Sequence, residues 1–437
     1  MAQDARLRRR MLGLIKARLP DLQLDSVDDP RSRRGRRWQL AALLGIALVG
    51  MLTGCQSLLD VEQLSCMMSE AARRLLGISR CVPDTTMRTV LCVLLPDAIR
   101  SLLHRQVRAA YRRKALQPTQ LPMGVVAVDG KTTTLPSCDD NFAQRQTAEG
   151  GALVGALRTM TCCLISAAAL PCLDAIPIPA ETNEMATFAL CLSELIRVYG
   201  GLDLFRMVAA DAGSCSLENA SLVRSHMLHY LFALKSTQPT LYNEASRLLG
   251  ALDVSQALAS SEDHLGGERV VIRRLYLCTE MTGFHDWEHL RTVLRVSSQT
   301  FEHGTLTKDE NRYFVCSLSS DRLSSEQWLK LVRQYWMVEN GPHWTLDVPL
   351  QEDAHPWIES EPQGALVLAL LRRVAYNMLS LFRAVTLRAE DNRATPWKSL
   401  LVRFKVALYA ALDSDLVELR VRIPGHAAAT SSQPVLG

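Results

Sequence analysis

Met123-Gly-Val-Val-Ala-Val-Asp-Gly-Lys131 is the stretch at which the periodicity of the chain changes. Before it, apolar residues recur at helical spacing. After it, short apolar runs bounded by turn residues alternate with helical stretches. Residues 123–128 predict a buried strand. The Asp129-Gly130 that ends it fits either a tight turn or a carboxylate presented at a strand end. A second run of this form, Phe205-Arg-Met-Val-Ala-Ala-Asp-Ala-Gly213, ends on Asp211, which is equally suited to capping a helix near Ser214 or Ser216. Strands at 152–166, 172–179, 204–210 and 230–234, with helices at 184–199 and 216–225 between them, predict an α/β sheet.

Further along, Arg333-Gln-Tyr-Trp-Met-Val-Glu-Asn-Gly-Pro-His-Trp-Thr-Leu-Asp347 places a carboxylate among aromatic and basic residues. At helical spacing Trp336, Glu339, His343 and Asp347 share one face. A carboxylate there needs company to hold Mg²⁺, which takes several oxygen ligands. Asp129 and Asp211 are the candidates, making an Asp, Asp, Glu set that spacing alone does not bring together. Pro342 predicts a kink one turn beyond Glu339, because proline has no backbone donor.

Upstream of the strand-forming stretch, residues 1–118 read as helices with a basic character, most concentrated at Arg31, Arg33, Arg34, Arg36 and Arg37. The whole chain of 437 residues carries only +4, so attraction to an anionic partner would be local to that end. Residues 38–55, ending in Leu-Thr-Gly-Cys55, imitate a lipoprotein signal. Their basic leader is too long and contains Asp25, Asp28 and Asp29, so a buried helix is expected, with no membrane partner and no lipid on Cys55. The apolar run 364–382 is interrupted by Arg372, Arg373 and Asn377, which favours burial in protein over contact with lipid. The twelve cysteines show neither a Cys-x-x-Cys pair nor a zinc spacing, and predict mostly buried thiols in a reducing compartment. Three β-branched and aromatic segments within 268–318 predict a strand-rich insertion, followed by a helix starting at Ser324.

Taken in order, Asp29-Pro-Arg31, Pro83-Asp84-Thr85, Asp129-Gly-Lys131, Thr182-Asn-Glu184, Asp211-Ala212, Ala233-Leu-Lys235, Tyr335-Trp336, Glu339-Asn340, His343-Trp344, Asp347 and Glu352-Asp353 carry a resemblance. The chain resembles the H-repeat-associated family of bacterial insertion-sequence transposases, a branch of the DDE transposases. The resemblance implies an α/β, ribonuclease-H-like catalytic core at 119–267 and 319–420, the strand-rich insertion at 268–318, a helical DNA-end-binding domain at 1–118 and a flexible tail at 421–437. It implies Asp129, Asp211 and Glu339 as the catalytic, metal-holding carboxylates, with Mg²⁺ as cofactor and Mn²⁺ substituting. It further implies double-stranded DNA as substrate, both element ends and target, with oligomer formation on DNA, and a place of work in the bacterial cytoplasm at the nucleoid. Lys131, Lys235, Arg333 and His343 are expected phosphate contacts beside the N-terminal arginines. Two other readings share these residues. A metal-dependent nuclease would cut without joining, and an inactive relic would bind DNA without cutting.

Overall fold

The computed structural model describes residues 2–135, 143–147, 153–387 and 394–421; the expected tail lies outside them beyond Val421. The chain forms two compact units, residues 1–87 with 395–437, and residues 88–394.

The first unit is helical: α1 (Ala2–Leu22), α2 (Leu40–Leu52), α3 (Leu58–Met67) and α4 (Glu70–Leu75) are joined by two helices from much later in the sequence. The uniformly apolar α2 is central to its core, with every residue but Ala41 buried. The expected burial of this segment is therefore found, and Cys55 is buried with it. The apolar spacing predicts a single helix over 58–76, but two form. Ser69 is extended and accepts the amide hydrogen of Ala72 at 3.1 Å, so a fresh N-terminus is satisfied there and the first helix stops. Cys66 and Cys81 form a disulfide, a departure from the thiols expected. The chain folds back after α4 and brings the two together across a separation of 15 residues, a pairing no spacing rule announces.

The chain passes between units within α5 (Asp84–Val93) and continues in α6 (Pro96–Arg112). Although basic, α6 belongs to the second unit, which begins at Arg88. It is anchored there by Arg100, which meets Asp174 at 2.6 Å and Glu194 at 2.9 Å. Arg108 is likewise engaged, donating to the carbonyl of Val198.

One mixed sheet organises the second unit: β1 (Val125–Leu135), β2 (Ala143–Thr147), β3 (Leu153–Leu164), β4 (Cys172–Pro177), β5 (Met207–Ala210), β6 (His229–Leu234), β7 (Ala259–Leu265), β8 (Arg269–Cys278), β9 (Thr292–Glu302) and β10 (Thr305–Cys316). Their order is β2-β3-β1-β5-β6-β10-β9-β8-β7, with β4 also on β3. β1, β5 and β6 are parallel, and the other pairs are antiparallel. The strands expected as an insertion thus extend the central sheet itself, β10 pairing with β6 from Tyr313↔Leu234 to Cys316↔Leu231. β7, which the sequence did not suggest, ends it. His303 and Gly304, both at positive φ, form the two-residue turn between β9 and β10.

α7 (Glu184–Tyr199), α8 (Leu217–Ser225) and α9 (Pro239–Leu249) connect these strands; α10 (Ser325–Tyr335), the four-residue α11 (Trp344–Asp347) and α12 (Pro362–Leu381) follow. Asn183 caps α7 by accepting from Ala186, as its residue type and place before the helix suggest, whereas α8 is capped by Ser216 and not by Asp211. Phe188, Leu192 and Leu195 of α7 are buried with Val126, Val208 and Phe232 of the central strands. Removing each large apolar side chain from water contributes roughly 1.5–3 kcal/mol. α12 is long and apolar enough to cross a membrane, yet it is almost wholly buried in protein. Its Asn377 accepts from the Cys172 amide and donates to the Cys172 carbonyl, each at 2.8 Å, satisfying backbone groups of β4. The last two helices, α13 (Trp397–Tyr409) and α14 (Asp413–Val421), belong to the first unit. There Asp415 receives Arg8 of α1 at 2.7 Å.

Candidate active site

The register of two central strands positions the first two carboxylates. β1 and β5 run parallel, paired from Val125↔Met207 to Val128↔Ala210. Asp129 and Asp211 are the next residue on each path, so two carboxylates leave neighbouring backbones about 4.8 Å apart. β1 itself runs on past Asp129 to Leu135 along β3, so the carboxylate stands where the parallel pairing stops and not where the strand does. Both strands are buried on both faces here, Val125 to Val128 and Met207 to Ala210, so a slip of one residue would exchange two differently packed sets of side chains. Asp211 also accepts the amide hydrogen of Ser214 at 3.2 Å, so it both shapes the turn and stands at the end of β5.

Glu339 arrives from beyond the sheet extension. Ser324 and Gln327 form a capping box at the start of α10, which runs to Tyr335. The helical path is not broken at Pro342. Instead Glu339–His343 form a widened, π-type turn in which the Trp344 amide reaches the carbonyl of Glu339, five residues back. An extra residue in the turn spares the proline ring its clash with the preceding carbonyl, and α11 follows directly. Gly341 lets the turn lie close against Leu170, whose Cδ1 would stand 2.9 Å from an added Cβ.

Electrostatics show that the acidic groups face one region. Asp129 is pushed up to about 7, first by burial and then by repulsion from Glu339, Asp211 and Glu184. Tyr335 is raised by burial and by the charges of Asp129, Asp211 and Glu339. Glu184 is raised by burial and by Asp211. Sequence reasoning did not place Glu184 in the site, although it opens α7. Its carboxylate lies over Gly130, where an added Cβ would sit 1.9 Å from Oε1. The available signal was the glycine after Asp129, since glycine admits another group against the backbone.

The remaining candidates divide sharply. His343 lies with Nδ1 3.5 Å from Asp129 Oδ2. Burial and the nearby Arg373 and Lys131 push it down to about 3, so the imidazole is neutral at physiological pH. Lys131 is buried, with its ammonium 2.5 Å from Asp347, 3.4 Å from Asp353 and 3.7 Å from Glu352. Arg333 is paired with Asp263 of β7 at 2.7 Å. Lys235 is exposed. In the first unit Arg31 is a brace, meeting Asp29 at 2.8 Å and the Trp38 carbonyl at 2.7 Å. Arg36 donates to the carbonyls of Arg31 and Asp29, each at 2.8 Å. Arg33, Arg34 and Arg37 are exposed.

For a divalent ion the donor chemistry fits. Asp129, Asp211 and Glu339 offer hard oxygen ligands, and their repulsion is the kind a bound cation relieves. As the side chains stand, no three carboxylate, histidine or cysteine groups among the described residues surround one point. Binding would therefore require these side chains to draw together.

Residues 120–378, which hold all three carboxylates, match the model of the "Transposase DDE domain", and residues 22–106 match a domain described as "DDE_Tnp_1-associated". The first match covers more than half of the sequence, and the chain belongs to the DDE-domain transposases. The "H repeat-associated putative transposase YhhI" of Escherichia coli K12 is 27% identical over 241 residues, 52% of this chain and 57% of that protein. "Putative protein YbfL" of the same strain is 23% identical over 329 residues, 72% of this chain and 78% of its own. "Putative transposase YncI" of E. coli O157:H7 is 24% identical over 211 residues, 46% of this chain and 50% of that protein. The match thus spans little more than half the length of YhhI.

Proposed function

We propose that this chain is an insertion-sequence transposase that cuts DNA at the element's ends and joins the resulting 3′-hydroxyl to target DNA, using Asp129, Asp211 and Glu339. The carrying observation is the parallel register that ends at Val128 and Ala210, beside which Glu339 is close enough to raise Asp129. The strand order β4-β3-β1-β5-β6, antiparallel pairs followed by parallel ones, supports a ribonuclease-H-like core.

Divalent ions held by these carboxylates would supply an activated oxygen nucleophile and neutralise charge on the transferring phosphate. The protein's own part is arrangement. The backbones at Asp129 and Asp211 are fixed by the sheet, so only their side chains need move to meet an ion. Glu339 brings the third charge on a helical turn. Tyr335 and the neutral His343 flank Asp129 without adding positive charge that would compete with a cation. Arg33, Arg34 and Arg37 grip the duplex backbone, with Arg31 and Arg36 holding their loop in shape; Lys235 is a further phosphate contact. Phosphate contacts of this kind position DNA without reading its sequence. Assembly as an oligomer on paired ends, in the cytoplasm where the DNA lies, completes the reading.

The test is incubation of the full chain with duplexes carrying the element's ends, with Mg²⁺ or Mn²⁺, for the parent and Glu339→Gln. Nicking plus a joined product in the parent alone supports the transposase. Nicking without joining selects a nuclease, and end binding without cutting selects a non-catalytic protein.

A further inference from the structure

The buried charges beside the proposed active site form a closed ring. Lys131 lies two residues beyond Asp129 on β1, and strand alternation puts both side chains on the same face. Directly across the ladder, Lys131 is paired with Thr159 of β3. Arg373 of α12 reaches Thr159 Oγ1 at 3.3 Å and Glu352 Oε1 at 2.7 Å. Glu352 Oε2 returns to Lys131 at 3.7 Å. The Glu352 and Arg373 side chains are 0% and 1% exposed. Asp347, at the end of the helical stretch that begins with Glu339, joins the ring through its 2.5 Å contact with Lys131.

The backbone between these residues is also held. Leu350 donates to the carbonyl of Thr345 at 3.0 Å, and Glu352 donates to that of Leu346 at 2.9 Å. Gln351 takes a φ of 52°, a left-handed conformation that non-glycine residues rarely adopt without surrounding support. This turn delivers Glu352 to Arg373 and leaves Asp353 within 3.4 Å of Lys131.

We infer that Lys131 is a positioning residue: it clamps residues 339–353 onto β1 and so sets Glu339 against Asp129, instead of gripping DNA phosphate. The inference rests on the carboxylate site proposed above. A lysine that holds phosphate must present its ammonium to solvent, whereas this side chain is 5% exposed and faces three carboxylates. Removing the clamp leaves the aspartates in place on their strands but loosens the third carboxylate.

Two variants of the full chain test it, Lys131→Met and Asp347→Asn. Hydrogen exchange of the free protein reads the clamp without any activity. Amides of residues 339–353 should exchange roughly ten-fold faster or more in both variants, with β5 and β6 unchanged. Unaltered protection in the folded variants overturns the clamp. Cleavage of end-bearing DNA then reads its purpose: at saturating DNA the rate should fall by about ten-fold or more in each, and the Mg²⁺ needed for half-maximal rate should rise. The combined variant should lose little more than the worse single, as residues acting as a unit do. If Lys131 grips phosphate instead, Lys131→Met lowers the slope of log affinity against log salt by about one, and Asp347→Asn tightens DNA binding by removing one of the carboxylates that compete with phosphate for the lysine. Either result overturns the positioning role. Should Lys131→Met fail to fold, Asp347→Asn alone decides, because its side chain is partly exposed and its loss leaves Lys131 with two other carboxylates. A parent that never cuts DNA refutes the transposase reading and the clamp's catalytic purpose together; the exchange result then shows separately whether the clamp exists.

Discussion

Replacing Asp129 with asparagine should stabilise the metal-free protein at neutral pH while ending its DNA cleavage. Asp129 in the folded chain titrates near 7, against an ordinary 3.8, because burial and the charges of Glu339, Asp211 and Glu184 all disfavour its anion. The sign follows from proton binding. Between these two values the folded protein keeps a proton that the unfolded chain has released, so stability falls as pH rises from about 4 to about 7 and stays lowered above it. The gap of roughly 3 pH units at about 1.4 kcal/mol each sets a ceiling of about 4 kcal/mol. Asparagine carries no such penalty. In EDTA at about pH 8, Asp129→Asn should therefore resist urea better than the parent, by up to about 1.3 M in midpoint for a denaturant slope of about 3 kcal/mol per M. At about pH 4 the advantage should nearly vanish. Tryptophan fluorescence follows the relevant unit, since Trp287, Trp328, Trp336, Trp344 and Trp357 all lie within residues 88–394. An equal offset at both pH values, or none at the higher one, would refute the electrostatic account. Mg²⁺ should raise the parent's midpoint and leave that of the variant nearly unchanged.

Arg373→Met should destabilise the second unit by about 3–5 kcal/mol, because it strands the buried Glu352 carboxylate; adding Glu352→Gln should recover much of the loss, as read by urea denaturation. Glu339→Gln should reduce Mg²⁺-dependent cleavage by several orders of magnitude with DNA affinity retained, and retained cleavage would remove Glu339 from the site. Changing Arg33, Arg34 and Arg37 together to alanine should lower the salt slope of duplex binding by about 3, measured by anisotropy between about 50 and 200 mM salt. Arg31→Ala should also weaken binding, although Arg31 is tied to Asp29, because the loop bearing the other arginines loses its brace.

Those strands with a strong local pattern were legible in the sequence. β1, β5 and β6 contain short apolar runs closed by polar residues, and the helix starts at Asn183 and Ser324 declare themselves by type and position. β7 was not legible, because Ala-Ser-Ser-Glu-Asp-His-Leu is a wet edge with no apolar face; its Asp263 instead collects Arg273 and Arg333. Strand order was equally hidden. Nothing local says that β10 returns to β6 across a long excursion, so segments that extend the sheet read as an insertion. At the candidate site, the carboxylates closing apolar runs could be suspected singly, but their meeting depends on register. The burial of Lys131 was hidden for a related reason: its partner Asp347 lies 216 residues away, and charge in a sequence does not reveal whether it faces water or another charge. Pro342 did announce a lost backbone bond, but not that a wider turn would absorb it.

The first unit is assembled from two segments far apart in the sequence, and this has a consequence for the order of events on the ribosome. α1 meets α13 and α14, and Gly13 leaves room for Leu419, whose Cδ2 would stand 3.2 Å from an added Cβ. The helices flanking the arginine loop emerge early but lack these companions until residues 395–421 have followed. At about 5–20 residues per second, making the roughly 300 residues between takes about 15–60 seconds. During that interval the sheet-bearing unit can finish folding while the N-terminal helices wait. Completion of the basic unit thereby comes after that of the carboxylate-bearing one, so a chain broken off before α13 carries the arginines without the two helices on which α1 packs.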